Sequence, residues 1–198
     1  MHIKSIFLFV TFFFSCPIFS QNIFIDSNQV ALFFNGNFIW SKLSQTTNLS
    51  GGISIGGILD LGYQYGSSVV EGENYYDKDT EYEIHSVLAS IILTKKKMQL
   101  SLDLALAGGK STTILVFGFS IAKKYQFENS FDLIWNLSTG LAFDLENFPQ
   151  GQEAAFTASV DFFFSKIIYF GPGIGYSGKE FFYGLNVGFV IPFANTIE

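Results

Sequence analysis

The chain has 198 residues, 48% of them hydrophobic, with one cysteine, no arginine and a formal charge of −6. That length suits one domain and is too short for a large porin. An acidic chain with scattered lysines and no arginine also excludes a nucleic-acid surface.

The N-terminus reads as a secretory signal peptide. Met1-His2-Ile3-Lys4 is a short basic region, Ile6 to Phe14 is almost wholly apolar, and Ser15 to Ser20 turns polar, so cleavage is expected after Ser20. The apolar run is shorter than the ~20 residues that a spanning helix needs. Phe13-Phe14-Ser15-Cys16 has a small residue before the cysteine but Phe where an aliphatic is usual, which makes lipidation at Cys16 the alternative. Cleavage after Ser20 leaves no cysteine, hence no disulfide and no thiolate metal site. The expected organisation is therefore a signal peptide over 1–20 and one domain over 21–198.

Beyond this point, segment after segment alternates with period two. Val30 to Trp40 is strand-like. Ile53 to Tyr65 puts Ile53, Ile55, Leu59, Leu61, Tyr63 and Tyr65 on one face, and Ser54, Gly56, Asp60, Gly62 and Gln64 on the other. Met98 to Gly108 alternates Met98, Leu100, Leu102, Leu104 and Leu106 with Gln99, Ser101, Asp103, Ala105 and Ala107. Phe131 to Asn147 sets Trp135, Leu137, Leu141 and Phe143 against Asp132, Asn136, Ser138 and Asp144. Residues 154–164 and 181–193 repeat the scheme. Each segment so has one apolar face and one small or polar face.

A soluble sandwich would alternate in the same way, so three further features decide. The segments run to roughly 10–14 residues, near the ~9–11 of a tilted membrane strand and above the five or six of soluble strands. Their minor face is small and polar, which suits the inside of a narrow barrel. Trp135 and Phe143 stand eight positions apart on one face, about 20 Å of height in a tilted strand and near the spacing of two interfacial girdles. Tight connections, at residues 94–97 and 165–166, alternate with longer ones, at 65–81 and 146–153, as in barrels with short turns inside and long loops outside.

From residue 52 onward eight strands are expected, near 52–65, 81–93, 98–108, 113–124, 131–146, 154–164, 167–176 and 181–193. Val30 to Trp40 would make nine, whereas single-chain barrels have even counts. Asn35-Gly36 is a strong type I′ turn signal, and a hairpin there, joining 23–34 to 37–46, would make ten, whereas a segment extending outside the barrel wall would leave eight. The fold class is all-β: an antiparallel up-and-down transmembrane β-barrel of about 8 to 10 strands.

The last strand, Asn186-Val187-Gly188-Phe189-Val190-Ile191-Pro192-Phe193, resembles the C-terminal signal by which small outer-membrane β-barrel proteins of Gram-negative bacteria are recognised for assembly. Asn186, Gly188, Ile191 and Phe193 occupy its polar, glycine and two hydrophobic positions. Pro192 inside the motif and the residues after Phe193 depart from it. The resemblance extends over the mature chain as a pattern and identifies an architecture, not one protein. It implies an outer-membrane location, with outer-membrane lipid and the barrel-assembly machinery as partners.

Chemistry is sparse. Small barrels such as the lipid A deacylases and palmitoyltransferases use a histidine with a serine and an acid. The one mature histidine, His85, shares a face with Glu83, while Ser86 points the other way, a poor nucleophile for that base. Glu71, Glu73, Asp77, Asp79 and Glu81 crowd one connection without the spacing of a calcium loop. No catalytic centre, metal site or cofactor is therefore expected. Asp60, Asp103, Asp132, Asp144 and Asp161 would point into a barrel and need partners, with water or the side chains of Gln64, Gln99 and Asn136 as the expected ones. The expected role is structural or surface interaction, with Tyr75, Tyr76, Asp77 and Asp79 facing an extracellular partner of unknown kind. A narrow porin-like channel and a lipid-modifying barrel enzyme are the alternatives.

Overall fold

The computed structural model describes Ile25 and residues 29–42, 44–70, 80–94, 98–109, 112–127, 131–146, 152–165, 167–177 and 180–195. The segment expected as a signal peptide, the residues expected to face a partner (Tyr75, Tyr76, Asp77 and Asp79), and Glu71 and Glu73 lie outside them. The alternating segments form ten strands: β1 (Gln29–Ser41), β2 (Ser44–Ile55), β3 (Leu59–Val70), β4 (Thr80–Ile92), β5 (Met98–Gly108), β6 (Thr113–Phe127), β7 (Phe131–Asp144), β8 (Gln152–Phe164), β9 (Ile168–Ser177) and β10 (Glu180–Asn195). Each pairs antiparallel with its neighbours in sequence, and β1 pairs with β10, so the sheet closes. Closure removes the free edges that would otherwise carry unpaired backbone groups.

The count of ten is reached by a different route from the sequence expectation. Asn35-Gly36 is not a turn; it lies inside β1, with Asn35 opposite Ser50 on one side and Gly188 on the other. Continuing both ladders through Asn35 and Gly36 satisfies more backbone groups than a local turn would. The first hairpin instead joins Ser41 at the end of β1 to Ser44 at the start of β2. The segment expected as one strand over 52–65 is itself a hairpin, with Ile55 opposite Leu59. Gly56 and Gly57 both sit at φ +56°, and Ile58 N–H donates to the Ile55 carbonyl at 3.0 Å. Positive φ at consecutive residues needs glycine. Gly57→Val should cost about 1–2 kcal/mol from backbone strain alone, seen as a lower urea midpoint for the refolded protein. A Cβ there would also approach the Ile25 carbonyl to 3.0 Å.

The tilt follows from the register. From Gly36, the pairing traced through β2, β3, β4 and β5 arrives at Thr113 on β6. Traced the other way through β10, β9, β8 and β7, it arrives at Tyr125, twelve residues further along the same strand. A stagger of that size around ten strands tilts them by roughly 40°.

Two prolines mark irregularities in this ladder. At the closing seam Val30 faces Ala194 but Ala31 faces Pro192, so Phe193 is the extra residue of a bulge. Pro192 therefore stands where a ladder donor is dispensable. Pro172 lies opposite the break in β8–β9 pairing between Ser159↔Gly173 and Phe162↔Phe170.

Connections at 56–58, 93–97, 128–130 and 165–167 lie at the end where β1 begins and β10 finishes. Those at 42–43, 71–79, 109–112, 145–151 and 178–179 lie at the other, which thus has both of the longest. The long connection expected over 65–81 is shorter than that, because β3 continues to Val70.

Candidate functional site

The outer wall comes directly from the alternation. Leu102, Leu104 and Leu106 of β5, Phe117 of β6, Leu137 and Leu141 of β7, Phe156 of β8, Ile174 of β9 and Leu185 and Val187 of β10 are all exposed. Soluble monomers rarely show contiguous apolar patches above a few hundred Å², and here the patch surrounds the molecule. On β7 the outward positions from Leu133 to Phe143, apolar except for Thr139, span ten residues, about 25 Å of height at this tilt, the height of an apolar barrel band.

Its edges are aromatic. Trp40 stacks on Tyr183 with centroids 5.8 Å apart, and Tyr176 meets Phe181 at 4.9 Å, towards the end with the long connections. Towards the other end, Trp135 is opposite Lys123, whose ammonium lies 4.8 Å from the ring centre of Tyr125. Rings with a polar edge and a long cationic side chain suit a membrane–water boundary. The chain is a closed, ten-stranded, antiparallel up-and-down β-barrel with an apolar outer wall.

The inner wall is the reverse. Asn37, Asn48, Ser54, Gln64, Ser101 and Ser120 are inward and fully buried. The five aspartates expected to face inward do so. Asp60 accepts from Ser54. Asp103 accepts from Ser90, from Ser120 at 3.1 Å and from Ser101 at 3.3 Å. Asp161 accepts from Asn186 at 3.4 Å, Asp144 accepts the Glu146 backbone N–H at 2.9 Å, and Asp132 pairs with Lys124 at 2.7 Å. Serine hydroxyls, partners that spacing along one strand does not reveal, serve Asp60 and Asp103. The reason is register: Ser54 is directly opposite Asp60, and Ser90 directly opposite Asp103. Short hydroxyl side chains reach a cross-strand carboxylate without filling the lumen.

Buried apolar side chains gather towards each end of this interior. Ile84, Ala105, Ala107, Ile114, Val116, Ala142 and Ala155 cluster towards the end with the long connections. Ala31, Phe33, Tyr169 and Val190 cluster at the opposite end, with Ile25 and Phe163 against them. Of the assembly-signal residues, Asn186 and Gly188 face inward, and Ile191 and Phe193 are exposed on the outer wall. Tyr169, directly opposite Gly188, lays its ring over that glycine. A Cβ at position 188 would come within 2.6 Å of both its Cζ and its hydroxyl oxygen.

His85 and Glu83 do share the outer face, and Ser86 is inward and buried. The His85 Nδ1 is hydrogen-bonded to Tyr63, a partner that sequence spacing did not reveal. Among the described residues no group of three or more His, Cys, Asp or Glu is placed to hold a metal ion.

No protein-family model matches the chain, and no curated protein matches it. Among solved structures it is similar to the N-terminal β-barrel domain of Pseudomonas aeruginosa OprF, at 10% identity and a TM-score of 0.41, covering 83% of this chain and 99% of that one. It is also similar to the translocator domain of the autotransporter NalP from Neisseria meningitidis, at 9% and 0.45, covering 88% and 92%. A third is LpxR from Salmonella typhimurium, at 8% and 0.42, covering 83% and 100%. The fold assignment rests on the ladder that joins β1 to β10, independently of these similarities.

Proposed function

We propose that this is an integral protein of the bacterial outer membrane, with a structural or surface-interaction role, no catalytic centre and no open conduit. The observation that carries the reading is the opposition of the two walls: mostly apolar outside, polar but packed within. A water-filled lumen would leave inward polar side chains accessible, yet Asn37, Asn48, Gln64 and Ser120 are at 0% exposure. The outward placement of His85, away from the buried Ser86, supports a role other than hydrolysis. Lipid surrounds the barrel, and the assembly machinery that reads Asn186, Gly188, Ile191 and Phe193 inserts it. The connection holding Tyr75, Tyr76, Asp77 and Asp79 then faces the cell exterior.

The processed chain is expected in an outer-membrane fraction, with different gel mobility before and after boiling. An epitope inserted between Glu71 and Asp79 should be labelled on intact cells. In planar bilayers the purified protein should be electrically silent across a range of salts. Steady unitary currents would replace this reading with the narrow channel, and extraction as a monomer without detergent would remove the membrane altogether.

A further inference from the structure

The seam where β10 closes on β1 carries a cluster of inward polar side chains. Asn35 and Asn37 of β1 are opposite Gly188 and Asn186 of β10, which are in turn opposite Tyr169 and Gly171 of β9. Both glycines make room for a neighbour. Tyr169 Oη lies over Gly188, 2.6 Å from where a Cβ would stand, and Asp161 Oδ1 of β8 lies at the same distance over Gly171. The hydroxyl and the carboxylate are thereby carried across the wall towards the two amides of β1. Within the cluster Asn35 Nδ2 donates to Asn37 Oδ1 at 3.0 Å, and Asn186 Nδ2 donates to Asp161 Oδ1 at 3.4 Å. Asn35, Asn37, Asn186 and Tyr169 are each more than nine-tenths buried.

Three polar atoms of this cluster have no hydrogen-bond partner among the described residues: Asn35 Oδ1, Asn37 Nδ2 and Tyr169 Oη. A buried polar atom left bare is costly, and native interiors seldom keep one. Exchanging oxygen and nitrogen in both amides keeps their mutual bond and still leaves one acceptor and one donor bare, so the pattern does not depend on that assignment. The mixture of donors and acceptors selects the ligand. A cation would face amide hydrogens, an anion would face the Asp161 carboxylate, and an apolar group would leave all three atoms bare. Water accepts two bonds and donates two, which matches the set.

We propose that the closing seam holds a structural water, which accepts from Asn37 Nδ2 and Tyr169 Oη and donates to Asn35 Oδ1 and the Asp161 carboxylate. Asn186 and Gly188 then have a role inside the folded wall: the amide holds the carboxylate in place, and the missing side chain admits the tyrosine hydroxyl. The inference rests on the closed ladder and is independent of the role proposed above.

The test uses the full processed chain folded in detergent micelles. Oxygen-17 magnetic relaxation dispersion counts waters held for longer than the particle takes to tumble, and exchangeable protons do not enter its signal. Replacing both amides together, Asn35→Leu with Asn37→Leu, should lower that count by at least one. Gln152→Leu, at an exposed position near the long connections, should leave it unchanged. An unchanged count in the paired variant overturns the proposal. Tyr169→Phe gives a second reading that does not need the paired variant to fold. Where the hydroxyl bonds to water, its removal should lower the folding equilibrium constant about fivefold, the size of one hydrogen bond. A constant that stays the same or rises marks a hydroxyl with no partner to lose and also overturns the proposal. Gel mobility before and after boiling is read on every sample, so that only folded barrel is compared.

Discussion

Arginine in place of Leu104 is expected to destabilise the folded barrel by about 2–4 kcal/mol, the cost of a cation at the middle of the hydrocarbon. Leu104 lies midway along β5, faces outward between Ala89 and Phe117, and is exposed in the isolated chain. The same change at Phe181, next to the outer rim, should cost only about 0–1 kcal/mol, because the side chain reaches water there. Denaturant titrations of protein folded into phosphatidylcholine vesicles would measure both. The contrast between the two positions carries the information: they are similarly apolar and outward, so only depth in a bilayer separates them. If water were the solvent of this face, both changes would fall within about ±0.5 kcal/mol, as surface substitutions do.

The second large effect concerns Gly188. In sequence terms this residue belongs to an assembly signal, but in the folded chain it is also the floor on which Tyr169 lies. Gly188→Ala should cost about 1–3 kcal/mol through overpacking, since the new methyl meets both the Phe34 backbone carbonyl and the Tyr169 ring. In the Tyr169→Ala background the cost of the same change should fall by more than about 0.5 kcal/mol, the coupling expected of residues in contact. Refolding into pure lipid vesicles, with no assembly machinery present, isolates this packing role. A variant that is fully stable in vesicles yet poorly assembled in cells would show that Gly188 acts only through recognition.

The ladder also explains which sequence signals misled. Ile55 is opposite Leu59, three residues of turn apart, so odd-numbered side chains stay on the outer face through the whole hairpin. The alternation therefore crosses the turn without a break in phase, and residues 52–65 read as one strand. Only the Gly56-Gly57 pair marks the turn, and a glycine is equally at home on the small inner face. Asn35-Gly36 erred the other way. A dipeptide that favours a turn in isolation sits in a strand because two neighbours, β2 and β10, both offer continuous pairing.

Other parts of the site were hidden for a related reason. That Asp60, Asp103, Asp132, Asp144 and Asp161 face inward follows from parity within each strand. That Asp103 meets Ser90 and Ser120 depends on how β4 and β6 slide against β5, which no single strand encodes. Likewise His85 and Glu83 share a face by parity alone, but Tyr63 joins them only through the β3–β4 register.

By itself, the sequence determined which side of every strand is apolar, that the strands are long enough to cross a membrane at a tilt, and that the chain is all-β. Those properties depend on residues two positions apart, and a local alternation holds them wherever the strand goes. The tertiary structure alone decided that there are ten strands, that β1 meets β10 over a bulge at Phe193, and which hydroxyl serves which carboxylate. Each of these is a choice of register, fixed only when the last strand closes on the first and every backbone donor has to find its acceptor at once.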